Sequence, residues 1–245
     1  MRHCGNAVRA SSVKRENDMN ILVLNGSPKR ENSDTLAATR AFLEGMNDVS
    51  ENSVKLIHVI DMKIGYCTGC FTCMKNGGNC VLDDDMAEIT EDILSSDLLV
   101  FSFPLYCCSM PASLKALVER LLPLSSMKMT KRNGIYEHIP QRDFSRLRYL
   151  MVSGCGFPDG RNSFEPAVML FERIFPCNHT VITVPESPLF NVKEASSLTE
   201  RKLGELRRGG REYAETGRIS EELLRKIGRP MMDEERYVSI VNGSV

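Results

Sequence analysis

Four of the nine cysteines in this 245-residue sequence fall between residues 67 and 80. Cys67, Cys70, Cys73 and Cys80 form a C-x2-C-x2-C-x6-C run. Thiolates are soft ligands, and four on one glycine-containing loop can wrap a tetrahedral or cubane metal site, which selects iron–sulfur or zinc. The close C-x2-C-x2-C spacing favours a [4Fe–4S] cluster over zinc, whose usual sites pair two distant C-x2-C units. Two features oppose a cluster: the last spacing is long beside ferredoxin-like runs, and Val81 rather than proline follows Cys80. Four free thiols, packed into the fold or at a subunit interface, are the third reading, and the spacing leaves all three open.

Three further segments combine polar or small residues in ways that suit a ligand. Gly26-Ser27-Pro28-Lys29-Arg30-Glu31-Asn32-Ser33-Asp34-Thr35 offers three hydroxyls, free N–H groups and two cations where a strand gives way to a helix, an arrangement that suits phosphate. It lacks the Gly-Lys-Ser/Thr of a Walker loop and the Gly-x-Gly-x-x-Gly of a dinucleotide site. The same residues also read as an ordinary capped strand–helix turn. Pro104-Leu105-Tyr106-Cys107-Cys108-Ser109-Met110-Pro111 is a proline-bracketed segment that can present backbone N–H groups and an apolar surface to a flat ring, or simply connect two elements. Ser153-Gly154-Cys155-Gly156-Phe157 carries two glycines that permit close backbone approach. The third glycine of that stretch, Gly160, stands one residue off the dinucleotide spacing, a coincidence. Asp83-Asp84-Asp85 could suggest Mg²⁺, though a solvated helix N-terminus is simpler. His3, His58, His138 and His179 form no constellation.

The elements that must position these loops alternate. Ile21 to Leu24 and Leu98 to Phe103 read as buried strands, and Val54 to Ile60, Leu147 to Ser153 and Val181 to Val184 as three further strands. Between them, Ser33 caps a helix bearing Leu36, Thr39, Leu43 and Met46 on one face, and a short acidic helix runs to about Ser95. Pro111 is expected at the first helical position of a helix bearing Leu114, Leu117, Val118, Leu121 and Leu122. Phe164, Val168, Phe171 and Phe175 space another. Residues 123–146 read as a long loop or flap turning at Asn133-Gly134. This alternation predicts a doubly wound parallel α/β sheet with ligands at the carboxyl ends of its strands.

The domain is expected over residues 19–190, preceded by a disordered or non-native arm at 1–18 and followed by a charged helical extension at 191–245, which packs on the sheet or on a partner subunit. The arm holds Arg2, Arg9, Lys14 and Arg15 but no apolar stretch of a signal peptide, so a cytoplasmic protein with thiols rather than disulfides is expected. A formal net charge of -1 gives no pull toward nucleic acid or an anionic membrane. The longest apolar run, Ala167 to Phe171, is far short of a membrane span.

Gly26-Ser27-Pro28…Ser33-Asp34-Thr35 resembles the phosphate loop of flavodoxin-like NAD(P)H-dependent FMN reductases. Pro104-Leu105-Tyr106…Pro111-Ala112-Ser113-Leu114-Lys115…Glu119-Arg120 resembles their second flavin loop and the helix after it. The cysteine run with Asp84-Asp85-Met86 is similar to the iron–sulfur flavoprotein branch, although related reductases with such a loop imply no cluster. The resemblance spans residues 20 to 185 and implies a sheet in the order 2-1-3-4-5 with FMN at the switch between the first and third strands. Ser27, Lys29, Arg30, Ser33, Asp34 and Thr35 would surround the phosphate. Pro104, Leu105, Tyr106 and the Cys107, Cys108 and Ser109 backbone would line the isoalloxazine. Gly154, Cys155, Gly156 and Phe157 would approach its pyrimidine edge. Asp34 stands where the family usually has Asn, so the carboxylate should turn from the phosphate and leave it to Lys29 and Arg30; Glu119 stands where Asp is usual.

The resemblance implies an FMN-dependent oxidoreductase that takes hydride from NAD(P)H and passes electrons to a quinone, nitro, azo or flavin acceptor, with no catalytic side chain demanded, as a homodimer or homotetramer. An electron carrier with FMN and a [4Fe–4S] cluster, and a flavin–thiol redox sensor, are the alternatives.

Overall fold

Alternate residues of the first strand, β1 (Asn20–Asn25), enter two different cores. Ile21 and Val23 face one side, Leu22 and Leu24 the other, as the period of two in a pleated strand dictates. The third strand repeats the division with Leu98 and Val100 against Leu99, Phe101 and Phe103. A sheet buried on both faces needs helices on both, and this is what a computed structural model of the chain, describing residues 18–132 and 134–243, contains. The expected arm lies outside the described residues except for Asp18, as does Asn133 of the expected turn.

The strands are β1, β2 (Ser53–His58), β3 (Leu98–Pro104), β4 (Ser125–Arg132), β5 (Ile135–Pro140), β6 (Arg148–Gly154) and β7 (His179–Val184). Five form one parallel sheet in the order β2-β1-β3-β6-β7. With the β4–β5 hairpin set aside, this is the order 2-1-3-4-5, the flavodoxin-like fold. Helices α1 (Asp34–Asn47), α6 (Ser196–Thr216) and α7 (Glu221–Ile227) cover one face. Helices α3 (Met86–Leu94), α4 (Ala112–Glu119) and α5 (Glu165–Ile174) cover the other. A one-turn helix α2 (Thr72–Lys75) interrupts the cysteine segment, and α8 (Glu234–Gly243) ends the described chain.

Two expectations are corrected. Residues 123–146 are not an irregular flap: β4 and β5 pair antiparallel, Arg132 opposite Ile135 and Met129 opposite His138. Pro111 is the N-cap of α4 rather than its first residue, with ψ 151° outside the helical range. The helix then stops at Glu119, so Leu121 and Leu122 lie beyond it, Leu122 starting a 3-10 turn with Leu124.

The charged extension covers one face of the sheet. Leu206, Tyr213, Ile219, Leu223 and Ile227 share a core with Ile21 and Val23. Helices α1 and α6 touch through glycine: a Cβ on Gly45 would lie 1.9 Å from the Arg207 carbonyl oxygen.

Candidate functional site

The loops after β1, β3 and β6 leave the carboxyl ends of three hydrogen-bonded neighbours, so the fold sets them side by side. Backbone bonds tie them: Gly26 N–H donates to Ser102 O at 2.8 Å and Leu105 N–H to Gly154 O at 2.7 Å.

In the first loop Asn25 is the organiser. Its buried amide accepts from Ser27 N–H at 3.1 Å, donates to Arg30 O at 3.2 Å and meets His58 Nδ1 at 2.9 Å. The Arg30 bond helps hold a left-handed residue, φ 53°. Ser33 caps α1 by accepting from Leu36 N–H at 3.2 Å. The buried Thr35 hydroxyl has no hydrogen-bond partner among the described residues. Neither cation expected at the phosphate stands alone. Lys29 Nζ binds Asp34 Oδ2 at 2.9 Å, and Arg30 Nε reaches both Asp61 oxygens at 2.7 and 2.9 Å. Asp34 is also bonded by Asn191 Nδ2, from the segment that leads to α6.

In the second loop Tyr106 and Ser109 exchange backbone bonds of 2.9 Å in both directions, closing a two-residue turn. Its central residues, Cys107 and Cys108, both have positive φ, 48° and 59°. This is the type I′ arrangement, which ordinarily takes Asn-Gly; a side chain in that region costs on the order of 1–2 kcal/mol. Both thiols are exposed, and Tyr106 is 45 % exposed.

The third loop is held from the far end of the chain, which the sequence did not suggest. Tyr237 Oη, on α8, donates to Gly156 O at 2.9 Å. Glu186 is fully buried and left-handed, donates its own N–H to Phe157 O at 3.0 Å, and takes the Met231 and Met232 N–H groups on its carboxylate, the latter at 3.2 Å. Burial pushes the Glu186 carboxyl up from its ordinary range, opposed by those two N–H donors. A Cβ on Gly154 would lie 2.6 Å from Ser187 Oγ and 2.8 Å from Thr35 Oγ1, so only glycine lets these loops meet. Cys155 is buried and its thiol is pushed up by that burial; Phe157 is exposed.

Residues 62–85 form a separate assembly. Two of the three consecutive aspartates stand at the start of α3 and staple the ends of this assembly: Asp85 accepts from Lys63 N–H at 2.7 Å, and Asp84 from Gly65 N–H at 2.8 Å and Met86 N–H at 3.2 Å. Asp84 also receives Arg120 through two bonds, 2.6 and 3.0 Å, which hold its carboxyl below the usual carboxylate range. Arg120, only 2 % exposed, donates further to Gly65 O at 2.7 Å and Cys80 Sγ at 3.4 Å. Cys67, Cys70, Cys73 and Cys80 all border one small cavity, which no residue of the three loops reaches. Hydrogen bonds from Thr72 and Thr68 bring the Cys70 thiol down to about 7, whereas burial and neighbouring thiols raise Cys73.

The donor sets fit two different groups to different degrees. An unpartnered buried hydroxyl, a helix start and three close-set backbone turns suit a phosphate followed by a flat ring. The cysteines offer the ligands of an iron–sulfur cluster around one cavity, yet among the described residues no three metal-ligating side chains stand close enough to hold one ion. No helix among the described residues is long and apolar enough to cross a membrane.

Residues 19–137 match a family described by its flavodoxin-like fold. An iron–sulfur flavoprotein of Archaeoglobus fulgidus is 35% identical over 98 residues, 40% of this chain and 43% of that protein. One of Methanocaldococcus jannaschii is 31% identical over 108 residues, 43% of this chain and 53% of the relative. The chain thus spans about half the length of the curated relatives it matches. Among solved structures, the NAD(P)H:quinone oxidoreductase from Methanothermobacter marburgensis superimposes with TM-score 0.57 at 20% identity, over 80% of this chain and 96% of that one. An FMN-dependent NADH-azoreductase from Bacillus anthracis in complex with FMN gives 0.54 at 15% identity, over 80% and 97%. At such identities these structures establish a shared fold.

Proposed function

The chain has the flavodoxin-like fold, and from that premise we propose that it is an FMN-dependent oxidoreductase passing electrons from NAD(P)H to a small-molecule acceptor such as a quinone or azo compound. The observation that carries this reading is the meeting of three loops at the carboxyl ends of β1, β3 and β6, where a doubly wound sheet takes its ligand. FMN, when bound, supplies the hydride chemistry. The protein's residues do the rest. The start of α1 and the Ser27, Ser33 and Thr35 hydroxyls receive the phosphate, with Lys29 and Arg30 alongside. Pro104, Leu105 and Tyr106 present a surface for the ring, with the backbone of Cys107, Cys108 and Ser109 as donors. Gly154 and Gly156 let the third loop approach the ring edge, with Cys155 and Phe157 beside them. The protein acts as a homodimer or homotetramer, and full activity in a monomer would remove that part of the reading.

Flavin uptake tests the proposal directly. Protein titrated with FMN is expected to quench its fluorescence at one FMN per chain, and then to oxidise NADH or NADPH in the presence of benzoquinone. A protein that neither carries nor takes up FMN sinks the reading.

The carboxylate of Asp34 opposes a phosphate dianion and engages Lys29. Asp34→Asn removes the repulsion and releases the ammonium, so the FMN Kd is expected to fall roughly five- to tenfold at low ionic strength. The gain should shrink as salt rises. An unchanged Kd at low salt would mean that the carboxylate does not feel the phosphate.

A second reading, an electron carrier with FMN and a [4Fe–4S] cluster on Cys67, Cys70, Cys73 and Cys80, is favoured by their shared cavity. Protein purified without oxygen would then hold about four irons and four sulfides per chain. Flavin bands without iron leave the cysteines as thiols.

A further inference from the structure

The turn at Cys107 and Cys108 keeps two adjacent thiols where Asn-Gly would adopt the same left-handed backbone with less strain. Both thiols face solvent, and the loop that carries them is bonded to Gly154 of the third loop. We propose that Cys107 and Cys108 form a thiol-based two-electron couple that exchanges electrons with the flavin of the same loops. The inference rests on the flavin reading above.

The steps balance without a further reactant beyond a peroxide. One thiolate attacks the peroxide, the O–O bond breaks, and a sulfenic acid and water form. The neighbouring thiol then displaces water as the S–S bond closes, so two thiols and one peroxide give a disulfide and two waters. In the other direction the disulfide accepts two electrons and two protons from reduced flavin: the S–S bond breaks, two thiols return, and the flavin is left oxidised.

Adjacency makes this disulfide a good acceptor. Neighbouring Cα atoms are about 3.8 Å apart across a trans peptide, below the roughly 4.4–6.8 Å usual for a disulfide. The strained bond is easily reduced, as labile and catalytic disulfides are. Linking the thiols also draws their Cβ atoms together, which the left-handed pair must yield to. The turn from Tyr106 to Ser109 therefore changes shape with oxidation, and Tyr106 with it.

The test uses the full chain, reduced, desalted without oxygen and exposed to one equivalent of hydrogen peroxide. Intact mass is expected to fall by about two daltons, with two thiols lost to a thiol reagent and fragment ions placing the link between Cys107 and Cys108. Sulfinic acid at either residue, or a link to any other cysteine, overturns the proposal. The double variant Cys107→Asn/Cys108→Gly keeps the turn by a preferred sequence and controls for folding. With FMN bound, the oxidised wild type should take two more electrons per chain in a dithionite titration than this variant. Equal uptake in a protein that binds FMN overturns the couple alone. A disulfide in a protein that takes up no FMN overturns the flavin reading, and the couple's flavin partner with it.

Discussion

Gly210→Ala is expected to destabilise the protein by about 3 kcal/mol or more, at or beyond the upper end of ordinary overpacking. A Cβ at Gly210 would lie 1.9 Å from Phe42 O and 2.8 Å from Met46 N, and one at Gly45 would meet Arg207 O at 1.9 Å from the opposite side. These are backbone atoms, so no rotamer change relieves the overlap; α6 must move off α1. That movement would pull apart the Phe42–Tyr213 ring contact at 5.7 Å and strain the Arg207–Glu44 and Arg211–Asp48 ion pairs, each 2.8 Å. Helix propensity works the other way, because alanine is favoured over glycine by about 1 kcal/mol in a helix. Gly204 separates the two effects: it lies on the same helix with nothing within 4 Å of its missing Cβ. Gly204→Ala should leave stability equal or slightly higher in urea unfolding. If Gly210→Ala behaves like Gly204→Ala, the helices do not approach as closely as described. Because α1 begins at the first loop, a shifted α1 should also weaken FMN binding in the Gly210 variant and not in the Gly204 variant.

The same contact shows why the extension's packing was hard to read from sequence. Strands such as β1 and β3 were legible as continuous apolar runs, β2 and β7 through shorter apolar stretches, and Ser33 announced α1 as a capping residue does. Helix α6 carries few apolar residues: Leu203, Leu206, Tyr213 and Ala214 reach the core, and the close approach to α1 is made by backbone at Gly210 and Gly45, which carry no hydrophobic signal. The β4–β5 hairpin escaped for a different reason: most of its residues are exposed, so no alternation of buried and exposed positions marks it. The three ligand loops could be found, since each follows a recognisable strand. Tyr237 and Glu186 could not, because their bonds to Gly156 O and Phe157 O in the third loop cross long stretches of chain and follow no spacing rule. The aspartate run was legible as a helix start, since Asp85 is the N-cap of α3 and Asp84 accepts from Met86 N–H at 3.2 Å; its bonds to Lys63 and Gly65 across the cysteine segment followed no local spacing.

Breaking the Asp84–Arg120 pair should be the second large effect. Arg120 is 2 % exposed, and the Asp84 side chain 11 %, so the pair is screened little by water. Asp84→Ala leaves a buried guanidinium facing only Gly65 O and Cys80 Sγ, a loss expected at roughly 3–5 kcal/mol. Asp84→Asn keeps the shape and removes the charge, so it isolates the electrostatic part. The pH dependence gives this part a signature. Arg120 lowers the Asp84 pKa in the folded protein, so the unfolded chain binds the proton more readily. The contribution is therefore complete above the unfolded carboxyl value near 3.9 and is lost as pH falls below it toward the folded value. The stability gap between wild type and Asp84→Asn, measured by urea unfolding, should be widest at pH 7 and narrow below about pH 4. A gap that stays constant across that range would assign the loss to packing. Arg120 also touches Cys80, so the same variants ask what the cysteine segment is for. If that segment holds a cluster, loosening its ends should lower iron content in step with stability at neutral pH. If its cysteines are free thiols, the stability loss should come with no change in bound metal.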